Sequence, residues 1–157
     1  MILTTHFVTG SAVASLTDNS LLVITISVVL HFLLDMIPHW EYITEELDST
    51  KELKNYLPQL AIDILLGPLL VSALFCYFFG FNPEKMFWLF GGGFFGVLPD
   101  GLTFLGAVFP QNKVLRRLYY FHCWIQPKKV LGWQLGILTQ LIIVAVALYV
   151  IAQGIFL

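Results

Sequence analysis

Residues 20–40 read SLLVITISVVLHFLLDMIPHW, and this stretch decides the fold of the chain. A membrane helix needs about 20 mainly apolar residues, and this stretch has that length with no Asp, Glu, Lys or Arg before Asp35. His31, Asp35 and His39 follow one another at intervals of four, so a helix places them on one face. The stretch therefore predicts a membrane helix over about residues 21–38 whose end carries a polar face.

The whole chain shares this apolar character. Of its 157 residues 58% are hydrophobic and 11% are charged, whereas soluble domains have about 45–50% apolar and about 25% charged residues. This composition excludes an ordinary soluble enzyme and a disordered chain. The net charge of −2, with no dominant basic stripe, excludes a nucleic-acid-binding protein. Residues 1–157 are therefore predicted to form a single integral membrane domain.

Five apolar segments can be drawn along the sequence, and the first of them is too short to cross a membrane alone. They cover approximately residues 5–16, 21–38, 56–81, 83–109 and 130–157. The sequence thus predicts an all-α polytopic membrane bundle with about four transmembrane helices and a short N-terminal half-helix. The glycines at 91–93 and 96 predict close helix packing. The acidic residues 41–55 predict a solvated interfacial helix, and residues 110–129 form a polar, basic connection.

The distribution of the basic residues predicts how the chain is oriented across the membrane. If successive segments alternate in direction, seven of the eight lysines and arginines lie on the side of Met1, and only Lys85 lies opposite. Cytoplasmic loops of membrane proteins carry the excess of basic residues. The sequence therefore predicts a multi-pass protein of the cytoplasmic membrane with its N-terminus in the cytoplasm.

Ionisable residues within apolar segments are costly and are functional candidates by default. Seven of them are predicted to reach the membrane level near the Met1 side: His6, His31, Asp35, His39, Asp63, Asp100 and His122. Because His31 and His39 would be about 12 Å apart on a straight helix, they can hardly share one ion, but Asp35 between them can bridge two. Helix-end capping or hydrogen bonding is the alternative for the triplet His31, Asp35 and His39. The alternatives are a plain turn at a helix break for Asp100, an interfacial position for His6 and His122, and a protonated carboxyl for Asp63.

Histidine and aspartate together suit zinc first, with manganese or iron as alternatives. Seven candidate ligands exceed the three or four of one zinc, so one or two ions are expected. Such a centre activates water and stabilises charge on a phosphoryl group. Asp35 and Asp63 are the candidate catalytic carboxylates, with Asp63 as a general base, and Arg116 and Arg117 are candidates for binding an anionic headgroup.

Three short motifs carry a resemblance to a known family. They are Thr5-His6-Phe7, His31-Phe32-Leu33-Leu34-Asp35-Met36-Ile37-Pro38-His39-Trp40 and Gly96-Val97-Leu98-Pro99-Asp100. With them the chain resembles bacterial inner-membrane metal-dependent hydrolases, which are related to zinc-dependent phospholipase C-like proteins. The resemblance implies that His31 and Asp35 match the family's His-x-x-x-Asp pattern and Asp100 its Leu-Pro-Asp pattern. The pair Phe121-His122 resembles, in part, a histidine motif that occurs later in the sequences of this family.

Three functions remain open from the sequence. The first is a membrane-embedded metal-dependent hydrolase that cleaves a phosphoester bond of a lipid at the cytoplasmic face. The second is a transporter or channel for a divalent cation or protons, which needs polar residues through both halves of the membrane. The third is a non-catalytic membrane subunit with a structural metal. The long last segment, residues 130–157, could pack within the bundle or against a second copy in a homo-oligomer.

Overall fold

A computed structural model describes residues 1–41, 50–127 and 131–154, with residues 50–55 as backbone only. These ranges contain six helices and no strand, which confirms the all-α prediction. The helices are α1 (Leu3–Leu16), α2 (Ser20–Asp35), α3 (Thr50–Phe79), α4 (Pro83–Val108), α5 (Lys113–Ile125) and α6 (Trp133–Gln153). Helix α5 is a finding of the structure, since the sequence predicted only a polar, basic connection there. Residues 42–49 of the acidic segment lie outside the described residues, and so do Lys128 and Lys129.

Three helices, α2, α4 and α5, begin where an asparagine side chain satisfies the first free amides. Asn19 accepts hydrogen bonds from the amides of Leu21 and Leu22 at the start of α2. Asn82 accepts one from Lys85 at the start of α4, where Pro83 occupies the first turn and needs no amide donor. These caps separate the apolar segments into distinct helices.

Three helices are long and apolar enough to cross a membrane: Tyr56–Phe79, Pro83–Val108 and Trp133–Gln153. Their outward faces carry exposed apolar side chains such as Leu65, Leu69 and Leu141, as expected for helices that contact lipid. Helix α2, with 16 residues, spans about 24 Å against a hydrocarbon core of about 30 Å. The chain is therefore a helical membrane protein in which α2 is shorter than the three long helices.

The first helix lies at the centre of the bundle. Helix α1 packs against α2, α3, α4 and α6, and most of its residues are buried. Its closest neighbour is α4, because a Cβ atom at Gly96 would collide with the carbonyl oxygen of His6, and one at Gly92 with that of Gly10. Gly92, Gly93 and Gly96 therefore serve helix packing, as predicted, whereas a Cβ atom at Gly91 would meet no neighbour. This close approach brings the start of α1 beside the second half of α4.

Candidate metal centre

Five of the seven predicted ligands converge at one end of the bundle, around the carboxylate of Asp35. Asp35 is the last residue of α2 and is fully buried. His31 lies one turn before it, and the other three come from three different helices: His6 from α1, Asp100 from α4 and His122 from α5. The four-residue spacing of His31 and Asp35 thus does place both side chains in one site, with a distance of 3.2 Å between His31 Nε2 and Asp35 Oδ2.

His31 is held by a backbone carbonyl. Its Nδ1 atom lies 2.8 Å from the carbonyl oxygen of Gly96, and because that oxygen can only accept, Nδ1 carries the proton. In the neutral ring, Nε2 then has a free lone pair. This atom is buried without a hydrogen-bond partner, although it faces Asp35 and lies 3.7 Å from Asp100 Oδ1.

His122 is oriented in the same way by a side chain. Its Nδ1 atom lies 2.6 Å from the hydroxyl oxygen of Thr103, and that hydroxyl donates to the carbonyl of Pro99 at 2.9 Å. With its proton used in this way, Thr103 accepts from Nδ1 of His122. The Nε2 atom of His122 faces the carboxylates, 2.6 Å from Asp35 Oδ2 and 3.6 Å from Asp100 Oδ1.

In the cluster, the Nε2 atoms of two histidines face carboxylate oxygens, so hydrogen-bond acceptors lie opposite one another. Two imidazole lone pairs point at two carboxylates, so the cluster is stable only with a cation between them, either protons on the rings or a metal ion. One ligand atom from each of His31, Asp35, Asp100 and His122 lies within 4.8 Å of the others. Asp100 Oδ2, like His31 Nε2, is buried without a hydrogen-bond partner. Two nitrogens and two carboxylate oxygens match the ligand set of a four-coordinate zinc ion.

His6 lies beside this four-residue cluster. Its ring stacks on that of His31 with centroids 4.0 Å apart. Its Nε2 atom lies 3.0 Å from Asp35 Oδ1 and 4.0 Å from Asp100 Oδ2, so His6 contacts the outer oxygen of each carboxylate. The buried Nδ1 atom of His6 has no hydrogen-bond partner.

His39 belongs to a neighbouring group that also includes Asp35 and Glu41. Its Nδ1 donates to the carbonyl of Ile37 at 2.6 Å, and its Nε2 lies 2.6 Å from Glu41 Oε1. The amine of Met1 contacts Glu41 and, at 2.8 Å, Asp35. Burial alone would raise the pKa of Glu41, but His39 and the Met1 amine lower it to about 2. Glu41 was not among the residues predicted from the sequence, where its only signal is its position two residues after His39.

Asp63 is placed apart from the cluster, at the N-terminus of α1. Its Oδ2 accepts a hydrogen bond from the amide of Leu3 at 2.7 Å, and its Oδ1 accepts from the amide of Thr4 at 2.8 Å. The hydroxyl of Thr4 also donates to Oδ1 at 2.6 Å. Asp63 therefore fixes the start of α1, and this contact needs neither a metal nor a histidine to keep the carboxylate ionised.

Arg116 and Arg117 lie on the exposed surface of α5. The guanidinium of Arg116 donates to the hydroxyl of Tyr120 at 2.9 and 3.1 Å and lies over its ring. Neither arginine lines the cavity that adjoins the cluster. That cavity has a volume of about 450 Å³ and reaches Asp100, Glu41 and Met1.

No family model, curated protein or solved structure matches this chain. The resemblance to metal-dependent hydrolases, which rests on the short motifs, therefore stays a prediction.

Proposed function

We propose that this chain is a zinc-dependent hydrolase that cleaves a phosphoester bond of a lipid at the membrane. His31, Asp35, Asp100 and His122 would hold the ion. The observation that carries the proposal is the buried Nε2 atom of His31. Its ring is locked by Gly96, and it faces two carboxylates without a hydrogen-bond partner. A divalent cation is the group that satisfies this nitrogen and both carboxylates at once.

A zinc ion bound there would lower the pKa of a coordinated water and stabilise negative charge on a phosphoryl oxygen. The chain's own residues supply the rest. Gly96 and Thr103 hold the two histidine rings in the orientation that metal binding requires. Asp100 is 21% exposed and lines the cavity, whereas Asp35 is fully buried. Asp100 is therefore the carboxylate that can reach a substrate, and it would be the general base for a nucleophilic water.

The one-sided placement of the cluster supports hydrolysis over transport. A path for ions needs polar groups along both halves of the membrane. In the opposite half of the described helices the charged residues are Glu84 and Lys85, both in the first turn of α4, while Asp18 lies in the turn before α2. We also propose that the cluster end faces the cytoplasm, because Lys113, Arg116 and Arg117 of α5 lie at that end.

Elemental mass spectrometry on detergent-purified protein tests the metal. We expect about one equivalent of zinc per chain in the wild type and in Ser27→Ala, and almost none in His31→Ala. Ser27 is a matched control because it is buried one turn before His31 on the same face of α2. Equal zinc in His31→Ala would place the metal elsewhere. Absence of zinc from wild-type protein loaded with excess zinc would overturn the proposal in favour of protonated rings.

Hydrolysis is tested separately, with phospholipid vesicles and the zinc-loaded protein. We expect release of a phosphate-containing or lipid product by the wild type and by Ser27→Ala, and none by Asp100→Asn. A zinc-loaded wild type that releases no product from any phospholipid class would leave a metal-binding subunit as the function and refute the hydrolase.

A further inference from the structure

The cavity next to the cluster has two chemically different ends. Its helical walls are mainly apolar, with Leu60 and Ile64 from α3 and Val97 and Phe104 from α4. Of the uncharged polar lining residues, Thr103 contacts His122, Gln126 contacts Glu41, and Tyr119 comes from α5. Its charged lining groups, Asp100, Glu41 and the Met1 amine, are all at the metal cluster or in direct contact with it. A ligand that fills this cavity must therefore be polar at one end and apolar along the rest.

The cavity lies between two membrane-spanning helices. Both α3 and α4 are among the helices long and apolar enough to cross a membrane. Ile64 is 52% exposed and Phe104 is 40% exposed, although both line the cavity. They therefore form its rim, on the surface that would contact lipid. The cavity is thus continuous with the hydrocarbon of the bilayer rather than only with water.

The volume of the cavity suits an organic ligand such as an acyl chain better than an ion. Pockets for organic ligands measure about 300–1,000 Å³, and this cavity has about 450 Å³. A path for a hydrated ion would need polar walls, whereas Leu60, Ile64, Val97 and Phe104 offer no polar atom beyond the backbone.

We infer that the α3–α4 cavity binds the acyl chain of a membrane lipid, which enters sideways from the bilayer and presents its phosphate to the cluster. This inference rests on the proposed function, because the single positive charge of the Met1 amine does not offset Asp35, Asp100 and Glu41, and a bound metal ion would supply the charge that attracts a phosphate. The occupant is a phosphate ester with a long apolar chain. A water-soluble phosphate ester has the same polar end but nothing to fill the cavity.

Equilibrium binding to zinc-loaded protein in nanodiscs tests the inference without turnover. The two probes are radiolabelled dodecyl phosphate and glycerol phosphate, with empty nanodiscs as background. We expect saturable binding of dodecyl phosphate, and binding of glycerol phosphate at least about tenfold weaker. Ile64→Trp should weaken dodecyl phosphate about tenfold, since a blocked cavity forfeits the burial of at least two methylene groups.

Leu65→Trp is the matched control, because Leu65 is the next residue of α3, is 60% exposed and does not line the cavity. It should leave the affinity unchanged. Ala107→Leu narrows the cavity from α4 by a smaller change and should weaken binding as well. The zinc content of every variant is measured alongside, so that a misfolded variant is recognised by its missing metal.

The results separate the two proposals. If the wild type binds no zinc, the proposed function fails before the lipid is tested. If zinc is bound but both probes bind equally well, or Ile64→Trp and Ala107→Leu bind dodecyl phosphate as the wild type does, the acyl-chain site is refuted and the metal centre stands.

Discussion

Asp35 and Asp63 are two buried aspartates near the start of the same helix, yet their surroundings differ completely. Both lie in apolar helices, and both are at most 7% exposed. Asp63 is surrounded by donors, namely the amides of Leu3 and Thr4 and the hydroxyl of Thr4. Asp35 accepts from one donor, the Met1 amine at 2.8 Å, and otherwise faces the rings of His6, His31 and His122. The Nδ1 proton of His31 points away from Asp35, toward the carbonyl oxygen of Gly96.

The difference shows that burial does not by itself mark a carboxylate as functional. Peptide amides stabilise the ionised form of Asp63 through hydrogen bonds and the positive end of a helix dipole, so that region is complete. Around Asp35 the Met1 amine supplies one donor, but His31 Nε2 and Asp100 Oδ2 still lack a hydrogen-bond partner. The useful criterion is therefore whether the partners of a buried carboxylate donate protons or offer lone pairs.

Removing one negative charge from each region should have very different effects on zinc binding. Asp35→Asn should weaken zinc binding by about 100-fold or more, because a neutral amide is a poor ligand and leaves the facing lone pairs unsatisfied. Asp63→Asn should leave zinc affinity within about threefold of the wild type, since Asp63 lies outside the cluster. Competition with a chromophoric zinc chelator measures both affinities. Equal losses in the two variants would show that the two regions form one metal site.

The sequence predicted the helices well, and it predicted the cluster in part. Apolar length and asparagine caps are local signals, so the ends of α2 and α4 lie within a few residues of the expected positions. The four-residue spacing of His31 and Asp35 is equally local. The separate role of Asp63 could not be predicted, because an amide that belongs to a helix 59 residues away leaves no trace in the sequence around it.

Thr103 and Glu41 were missed for a related reason. Thr103 acts by holding the ring of His122, 19 residues away, and a hydroxyl in an apolar helix is common without such a role. Helix α5 was read as a connection because its mean composition is polar, although its apolar residues repeat with helical spacing. Only the packing of α5 against α4 brings His122 to the carboxylates.

A smaller effect is expected from the residue that orients a ligand instead of binding the ion. Thr103→Val preserves the shape of the side chain but removes the partner of His122 Nδ1. Loss of such an outer contact typically costs about 10–100-fold in metal affinity, so zinc binding should fall within this range. Thr103→Ser keeps the hydroxyl and should bind as the wild type does. Competition with the same chromophoric chelator measures the zinc affinity of both variants. An unchanged affinity in Thr103→Val would refute the orienting role.

The smallest effect belongs to the Asp63 region, where stability and not metal binding should respond. Thr4→Val removes the hydroxyl that donates to Asp63 and should lower the free energy of unfolding by about 0.5–1.5 kcal/mol, the usual value of one buried hydrogen bond. Denaturation in mixed detergent micelles measures it. In an Asp63→Ala background the same substitution should cost less, because the carboxylate is gone and only the backbone carbonyl of residue 63, at 3.0 Å, still accepts from the hydroxyl. Thr139→Val is the control, since its exposed hydroxyl bonds only within α6.

A loss of zinc affinity in Thr4→Val at unchanged stability would contradict the separate roles of Asp35 and Asp63. It would mean that the hydrogen bonds at the start of α1 set the position of the metal ligands.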